Sequence, residues 1–166
     1  CGWGILHPYF INEGDTMKEL ERKLGYEFND PNLLQTALTH SSYANEKRGG
    51  TVCYERLEFL GDSVLGMIVA DYLYRNFTNM QEGNMTKVRA ELVCEQGLVK
   101  VADELDLGKY IYLGKGEEKS GGRERHSIIA DAVESIIAAV YLDGGIGSAR
   151  KLVYKFIIDK FAGTVE

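Results

Sequence analysis

Two stretches of the chain combine a nearly continuous apolar composition with carboxylate side chains. Residues 54–74 read YERLEFLGDSVLGMIVADYLY, and residues 127–142 read SIIADAVESIIAAVYL. With about 100° between successive residues of a helix, Glu58 and Asp62 share one face of the first stretch and Glu55 lies beside them. Burying ionised carboxylates without partners is so unfavourable that such acids normally pair with bases or bind a metal ion.

The second stretch adds two acids on one helical face, because Asp131 and Glu134 are three positions apart. Taken alone, the acids of the first stretch would also suit an exposed helix N-terminus, where the helix dipole favours them. Two such helices packed together would instead gather four or five carboxylates, the oxygen ligands that a hard cation such as Mg²⁺ prefers. Arg56, the only base within residues 54–74, points away from the acids.

The sequence around these acids resembles the signature of the ribonuclease III catalytic domain. The run ERLEFLGDSVL is accompanied, in the expected order, by LTHSSYANE at residues 38–46, EGNMTKVRAELV at 82–93 and LGKGEEKSGGRERHSIIADAVESIIAAVYLDGG at 113–145. The resemblance covers about residues 17–160, and an ordered set of blocks is far more specific than one short motif. It is to the bacterial type of catalytic domain, without the double-stranded RNA binding domain that typically follows.

The resemblance implies an endoribonuclease of RNA processing, including rRNA processing. Such an enzyme hydrolyses phosphodiester bonds of double-stranded RNA with divalent metal ions and leaves 5′-phosphate and 3′-hydroxyl ends. By position in the motif, the implied metal ligands are Glu58, Asp62, Asp131 and Glu134, with Asp62 and Glu134 also implied as catalytic. The implied cofactor is Mg²⁺, for which Mn²⁺ is expected to substitute.

Further residues take their expected roles from the same resemblance. Glu55 and Glu82 are outer candidates for the metal site, and Lys119 and Arg123 are candidates for RNA contact. Phe59 matches the family's dimer-interface position. We therefore expect a homodimer in which the two signature helices pack across a twofold axis.

Two other functions compete with this one. A non-catalytic RNA-binding or ribosome-associated scaffold on the same fold would be expected to lose some of the metal ligands, and this chain keeps all four. A ferritin-type metal protein would need Glu-x-x-His pairs. None of the three histidines follows a glutamate by three positions.

Composition indicates one ordered domain with an acidic surface. The 166 residues carry 25 acids and 19 bases, a net charge of −6, which by itself disfavours nucleic-acid binding. The three cysteines are odd in number and lack metal-site spacing, so we expect reduced thiols and a cytoplasmic protein. No charge-free apolar run approaches the length of a membrane span, and no membrane association is expected.

The elements that must position the acids all have helical periodicity. We expect an all-α domain of about seven helices, with residues 1–16 as a leader or expression remnant and residues 17–166 as the catalytic domain. Helices are predicted over residues 18–25, from Pro31 with Asp30 as its N-cap, over 85–104 and over 148–161. Residues 110–113 are predicted as an extended connector without a partner strand, and the glycine-rich segment that follows as a solvated loop. A hydrogen-bonding role at a helix end is favoured for His40 over hydrolase chemistry.

Overall fold

Helices make up most of the residues that this computed structural model describes, which are 13–47 and 50–162. They are α1 (Glu13–Leu24), α2 (Pro31–Ala37), α3 (Ser41–Glu46), α4 (Glu55–Asn76), α5 (Glu82–Leu92), α6 (Glu95–Leu105), α7 (Lys115–Lys119), α8 (His126–Val153) and α9 (Asp159–Ala162). One wider helical turn, Tyr154–Ile158, joins α8 to α9. The described residues contain no strand, and the all-α prediction is confirmed.

The two acid-bearing helices, α4 and α8, pack against each other in the middle of the domain. Both are apolar on several sides, and the buried members of α4 include Leu57, Val64, Leu65, Ile68 and Val69. Nearly every residue of α8 from Ile128 to Val140 is also buried. Helices that are apolar almost all round are expected at the centre of a domain.

Gly61 sets how closely these two helices approach. A Cβ atom at this position would overlap the main-chain carbonyl oxygen of Glu134, so any other residue would push α4 and α8 apart. Glu58 lies less than one turn before Gly61 on α4. The close backbone contact is therefore at the level of the acids.

A short pairing ties the segment before α3 to the loop before α7. Thr39 forms a parallel bridge with Tyr112. The amide of His40 donates to the carbonyl oxygen of Tyr112 (3.1 Å), and the amide of Tyr112 donates to that of Leu38 (2.8 Å). Residues 111–113 are thus extended as predicted, whereas Tyr110 ends a short 3-10 helix, Leu107–Tyr110. The predicted absence of a partner was wrong, because Tyr112 pairs with Thr39 in this single bridge.

Two predicted helix ends are confirmed at the level of single side chains. Asp30 caps α2 by accepting a hydrogen bond from the amide of Asn32, and Pro31 is the first helical residue. His40 caps α3, where its Nδ1 accepts from the amide of Ser42 (3.2 Å). The histidine therefore does serve a helix end.

The predicted helix over residues 85–104 was wrong, because the chain breaks into α5 and α6. The backbone is extended at Cys94 (φ −69°, ψ 159°). The break lets α5 pack on α4 while α6 packs on α8. Tertiary packing here overrides a continuous helical pattern.

Other predicted boundaries also need correction. Helix α1 begins at Glu13 rather than at residue 18, so residues 13–16 of the expected leader are helical, and the rest of it lies outside the described residues. Part of the expected loop forms α7. Gly145, at φ 75°, interrupts α8 in a conformation that favours glycine. Across the described ranges, no helix has the length and apolar content needed to cross a membrane.

The contact at Gly61 predicts a large difference between two glycine substitutions. Gly61→Ala should lower the free energy of unfolding by about 1–3 kcal/mol, the usual cost of overpacking. Gly147→Ala is the matched control, since Gly147 is an exposed residue of α8 and a Cβ added there would meet no atom within 4 Å.

The control should be neutral or up to about 1 kcal/mol stabilising, because alanine is the better helix former. Urea denaturation of both variants at one protein concentration is the measurement. Equal stabilities for the two variants would contradict the close approach of α4 and α8.

Candidate metal centre

Three carboxylates from α4 and α8 converge at one place. An oxygen atom from each of Glu58, Asp131 and Glu134 lies within 4.8 Å of the other two, and all three side chains are partly buried. Glu58 belongs to the first turn of α4. Asp131 and Glu134 lie next to each other on the face of α8 that meets α4. The predicted convergence of acids from the two helices is therefore present in the fold.

Burial and mutual repulsion both oppose ionisation of this cluster. Burial, followed by the charges of Asp62, Asp131 and Glu58, raises the pKa of Glu134 to about 7. The pKa of Glu58 is also raised, first by burial and then by the neighbouring acids. The charge of each neighbouring carboxylate thus opposes the ionisation of Glu58 and Glu134.

Asp131 has the most varied surroundings of the three acids. Burial raises the pKa of Asp131, and a hydrogen bond from Tyr54 opposes that rise. Of the charged groups nearby, Glu95 on α6 adds to the increase and His40 reduces it. Glu95 is thus a further acid facing this centre, and no sequence motif pointed to it.

No base neutralises the cluster through an ion pair among residues 13–47 and 50–162. Hard carboxylate oxygens gathered in a partly buried position without bases form the donor set that Mg²⁺ and Mn²⁺ accept. The residues present therefore fit a divalent cation. Such an ion would stabilise the fold by removing the charge repulsion among the three acids.

Asp62 and Glu55 flank the cluster without joining it. Asp62 lies one turn beyond Glu58 on α4 and is exposed, yet its charge raises the pKa of both Glu58 and Glu134. Glu55 is exposed in the first turn of α4 and acts on Glu58 in the same way. Both acids are therefore close enough to act electrostatically on the cluster although they lie outside it.

Glu82 lies far from the carboxylate cluster of its own chain. It begins α5, accepts a hydrogen bond from Thr86 (2.9 Å) and lines a groove beside Leu73 and Tyr74. Leu73 is fifteen residues beyond Glu58, or about 22 Å along α4. As an outer metal-site residue, Glu82 therefore cannot act within one chain in this arrangement.

The two predicted RNA contacts have different surroundings. Lys119 is exposed at the end of α7. Arg123 is bound within the chain, since its Nε and Nη2 donate to the Glu118 carboxylate (both 2.6 Å) and its Nη1 donates to the carbonyl oxygens of Gly108 and Ile111 (both 2.8 Å). RNA contact by either residue stays a prediction, and for Arg123 it would compete with these bonds.

Comparison with known proteins identifies similar sequences and structures. A family model described as Ribonuclease-III-like matches residues 30–161. Ribonuclease 3 of Caldanaerobacter subterraneus subsp. tengcongensis is 52% identical over 144 residues, which are 85% of this chain and 63% of that protein. Ribonuclease 3 of Clostridium beijerinckii is 52% identical over 148 residues, again 63% of its length. The chain thus spans less than two thirds of these curated relatives.

Solved structures also show similarity to this chain. The nuclease domain of ribonuclease III from Campylobacter jejuni superposes with a TM-score of 0.81 at 42% identity, over 88% of this chain and 99% of that one. Giardia Dicer matches at 20% identity with a TM-score of 0.68, over 92% of this chain and 20% of its own. At that identity, the Dicer match concerns the fold alone.

The raised pKa of Glu134 predicts that Glu134→Gln stabilises the metal-free protein at neutral and higher pH. The unfolded chain loses this proton near pH 4.5 and the folded chain near pH 7, so the parent loses stability as the pH rises between those values. The variant has no proton to lose at this position. A gain of about 1 kcal/mol would raise Tm by about 2–4 °C.

Thermal unfolding at pH 5 and pH 8, with and without Mg²⁺, is the measurement. At pH 8 without metal the variant should melt above the parent, and the difference should shrink at pH 5. Addition of Mg²⁺ should raise the Tm of the parent more than that of the variant. A variant that melts below the parent at pH 8 without metal would contradict the repulsion described for the cluster.

Proposed function

The chain belongs to the ribonuclease III family, and from that membership we propose that it is the catalytic domain of a double-strand-specific endoribonuclease. It hydrolyses phosphodiester bonds with the help of Mg²⁺, or of Mn²⁺ in its place, and leaves 5′-phosphate and 3′-hydroxyl ends. The observation that carries the proposal is the convergence of Glu58, Asp131 and Glu134 without a neutralising base. Free thiols at Cys53 and Cys94 support a reducing compartment such as the cytoplasm.

The chain's own residues would hold and orient the reactants. Glu58, Asp131 and Glu134 are the inner metal ligands in this proposal, and their partial burial limits the water that competes for the site. Asp62, exposed on the next turn of α4, is the fourth metal ligand in this proposal and, with Glu134, a catalytic residue. When bound, divalent ions lower the pKa of an attacking water and stabilise charge on the attacking and leaving oxygens.

Duplex RNA suits a surface that recognises shape rather than sequence. The deep groove of A-form RNA keeps side chains from the base edges, so contacts go to phosphates and 2′-hydroxyl groups. Lys119 is the exposed base proposed for such a contact, and Arg123 contributes by holding α7 through its bonds to Glu118. Divalent cations at the acidic centre would also invert the local sign of the charge.

A homodimer is supported by an apolar stripe that runs along the outside of α4. Phe59 is 79% exposed, Met67 51% and Tyr74 74%. The similar Campylobacter jejuni domain has a region involved in dimer formation. Exposed large apolar residues in a line are typical of a protein–protein interface.

The spacing of the stripe favours an antiparallel pairing of two α4 helices. Met67 is close to midway between Phe59 and Tyr74, so a twofold axis at Met67 would bring Phe59 of one copy to Tyr74 of the other. Beside Tyr74 lies a groove of about 310 Å³, with Met85 and Glu82 in its lining. In this proposal Phe59 enters that groove, and Glu82 reaches the acids of the partner copy rather than its own.

We expect cleavage of a long RNA duplex that requires Mg²⁺ and fails in Glu134→Gln. The substitution keeps the size of the side chain and removes one anionic ligand, so cleavage should fall by orders of magnitude while RNA affinity in Ca²⁺ changes little. Cleavage of duplex RNA in Mg²⁺, and binding in Ca²⁺, are measured for parent and variant.

Parent-like cleavage by Glu134→Gln would contradict the ligand assignment. If the parent binds duplex RNA but cleaves it in neither Mg²⁺ nor Mn²⁺, the non-catalytic scaffold would replace the proposed enzyme.

If Glu82 completes the partner's metal site, Glu82→Gln should also cleave more slowly than the parent, and the antiparallel dimer predicts that it restores activity when mixed with Glu134→Gln. In a heterodimer of Glu134→Gln with Glu82→Gln, one site has Glu134 from the second chain and Glu82 from the first, and so carries both original side chains. The mixture should therefore cleave faster than the sum of the two variants measured alone. If Glu82 acted within its own chain, no site in the mixture would be complete.

Phe59→Asp is the control for this mixing experiment. A charge buried without a partner in an apolar interface strongly destabilises it, so chains carrying the substitution should sediment as monomers or unfold. Complementation should disappear when either variant also carries Phe59→Asp. A parent that sediments as a monomer at micromolar concentration would contradict the dimer.

A further inference from the structure

Tyr54 reaches the carboxylate cluster from just before the first turn of α4. Its side chain is 3% exposed, and its hydroxyl donates a hydrogen bond to Oδ2 of Asp131 at 3.3 Å. The two residues are 77 positions apart in sequence. A buried tyrosine hydroxyl needs an acceptor, and Asp131 supplies it.

The backbone of Tyr54 is fixed from both sides. Its amide donates to the carbonyl oxygen of Thr39 at 2.9 Å. Its own carbonyl oxygen accepts from the hydroxyl of Ser135 at 3.3 Å, and that hydroxyl also donates to the carbonyl oxygen of Asp131 at 2.8 Å. Ser135 is fully buried, so it joins the start of α4 to the turn of α8 that carries Asp131.

The ring of Tyr54 is also held by its surroundings. It meets the ring of His40 edge to face, with centroids 5.6 Å apart. His40 in turn is anchored by its own hydrogen bonds to Ser42 and to the carbonyl oxygen of Tyr112. The hydroxyl therefore approaches Asp131 from a direction that the surrounding chain determines.

We propose that Tyr54 is a positioning residue of the metal centre, an inference that rests on the proposed function. Its hydroxyl holds Oδ2 of Asp131 and thereby fixes the orientation of this carboxylate beside Glu58 and Glu134. Without that bond, repulsion would turn the Asp131 carboxylate away from the other two acids. Hydrogen-bonding partners of this kind orient metal ligands before the ion arrives, and their loss typically weakens metal binding by about 10–100-fold.

Tyr54→Phe tests the proposal because it deletes the hydroxyl and keeps the ring against His40. Binding of Mg²⁺ and Mn²⁺ to the RNA-free protein, measured by titration calorimetry, should be about tenfold weaker than in the parent. At saturating metal, kcat for duplex cleavage should return toward the parent value. A purely structural hydroxyl would change Tm and leave metal affinity as it was.

Tyr26→Phe is the matched control. The hydroxyl of Tyr26 also donates to an aspartate, Oδ2 of Asp143, at 2.7 Å, but Asp143 is not part of the carboxylate cluster. This variant should lose stability without a change in metal affinity. The double variant Asp131→Asn/Tyr54→Phe should bind metal less than about twofold more weakly than Asp131→Asn alone. In that protein the Tyr54 hydroxyl no longer orients an anionic metal ligand, so its removal has little further effect.

Metal affinity of Tyr54→Phe within about twofold of the parent would overturn the inference and leave the proposed function in place. An additional loss of about tenfold in the Asp131→Asn background would also overturn it. A parent chain that binds neither Mg²⁺ nor Mn²⁺ would overturn the proposed function, and the role of Tyr54 with it.

Discussion

The contact between the backbones of α4 and α8 at Gly61 is the constraint on which the rest of the structure depends. Helices that pack through side chains keep their axes about 8–10 Å apart. Here a glycine lies against the carbonyl oxygen of Glu134, and the helices approach more closely than a Cβ would allow. This close approach brings the carboxylate of Glu58 on α4 to those of Asp131 and Glu134 on α8. The glycine of the motif therefore belongs to the site as much as the acids do.

Gathering acids in a partly buried place works against folding, and the core around them has to compensate. On either side of the cluster the two helices bury large aliphatic side chains almost completely, among them Leu65, Ile68 and Ile136. Burial of such a side chain contributes about 1.5–3 kcal/mol each. The same two helices thus provide both the repulsion and the apolar packing that offsets it. This arrangement explains why the acids interrupt the most apolar segments of the chain.

Local patterns predicted the features that local interactions determine. The cap of α2 at Asp30, the helix-end role of His40 and the convergence of acids from two apolar helices follow from neighbouring residues and from a specific motif. The break at Cys94, the engagement of Arg123 within its own chain and the reach of Tyr54 to Asp131 depend on contacts between distant segments. No periodicity carries that information, so only the folded chain could reveal it.

The pairings that complete the metal centre join parts of the chain that are synthesised far apart. Ser135 bonds to the carbonyl oxygen of Tyr54 across 81 residues, and Thr39 pairs with Tyr112. Contacts with large sequence separation close long loops and form slowly. During synthesis, the first helix of the pair would leave the ribosome well before the second, and its acids would remain dispersed until then. The carboxylate cluster would therefore form only after nearly the whole domain had emerged.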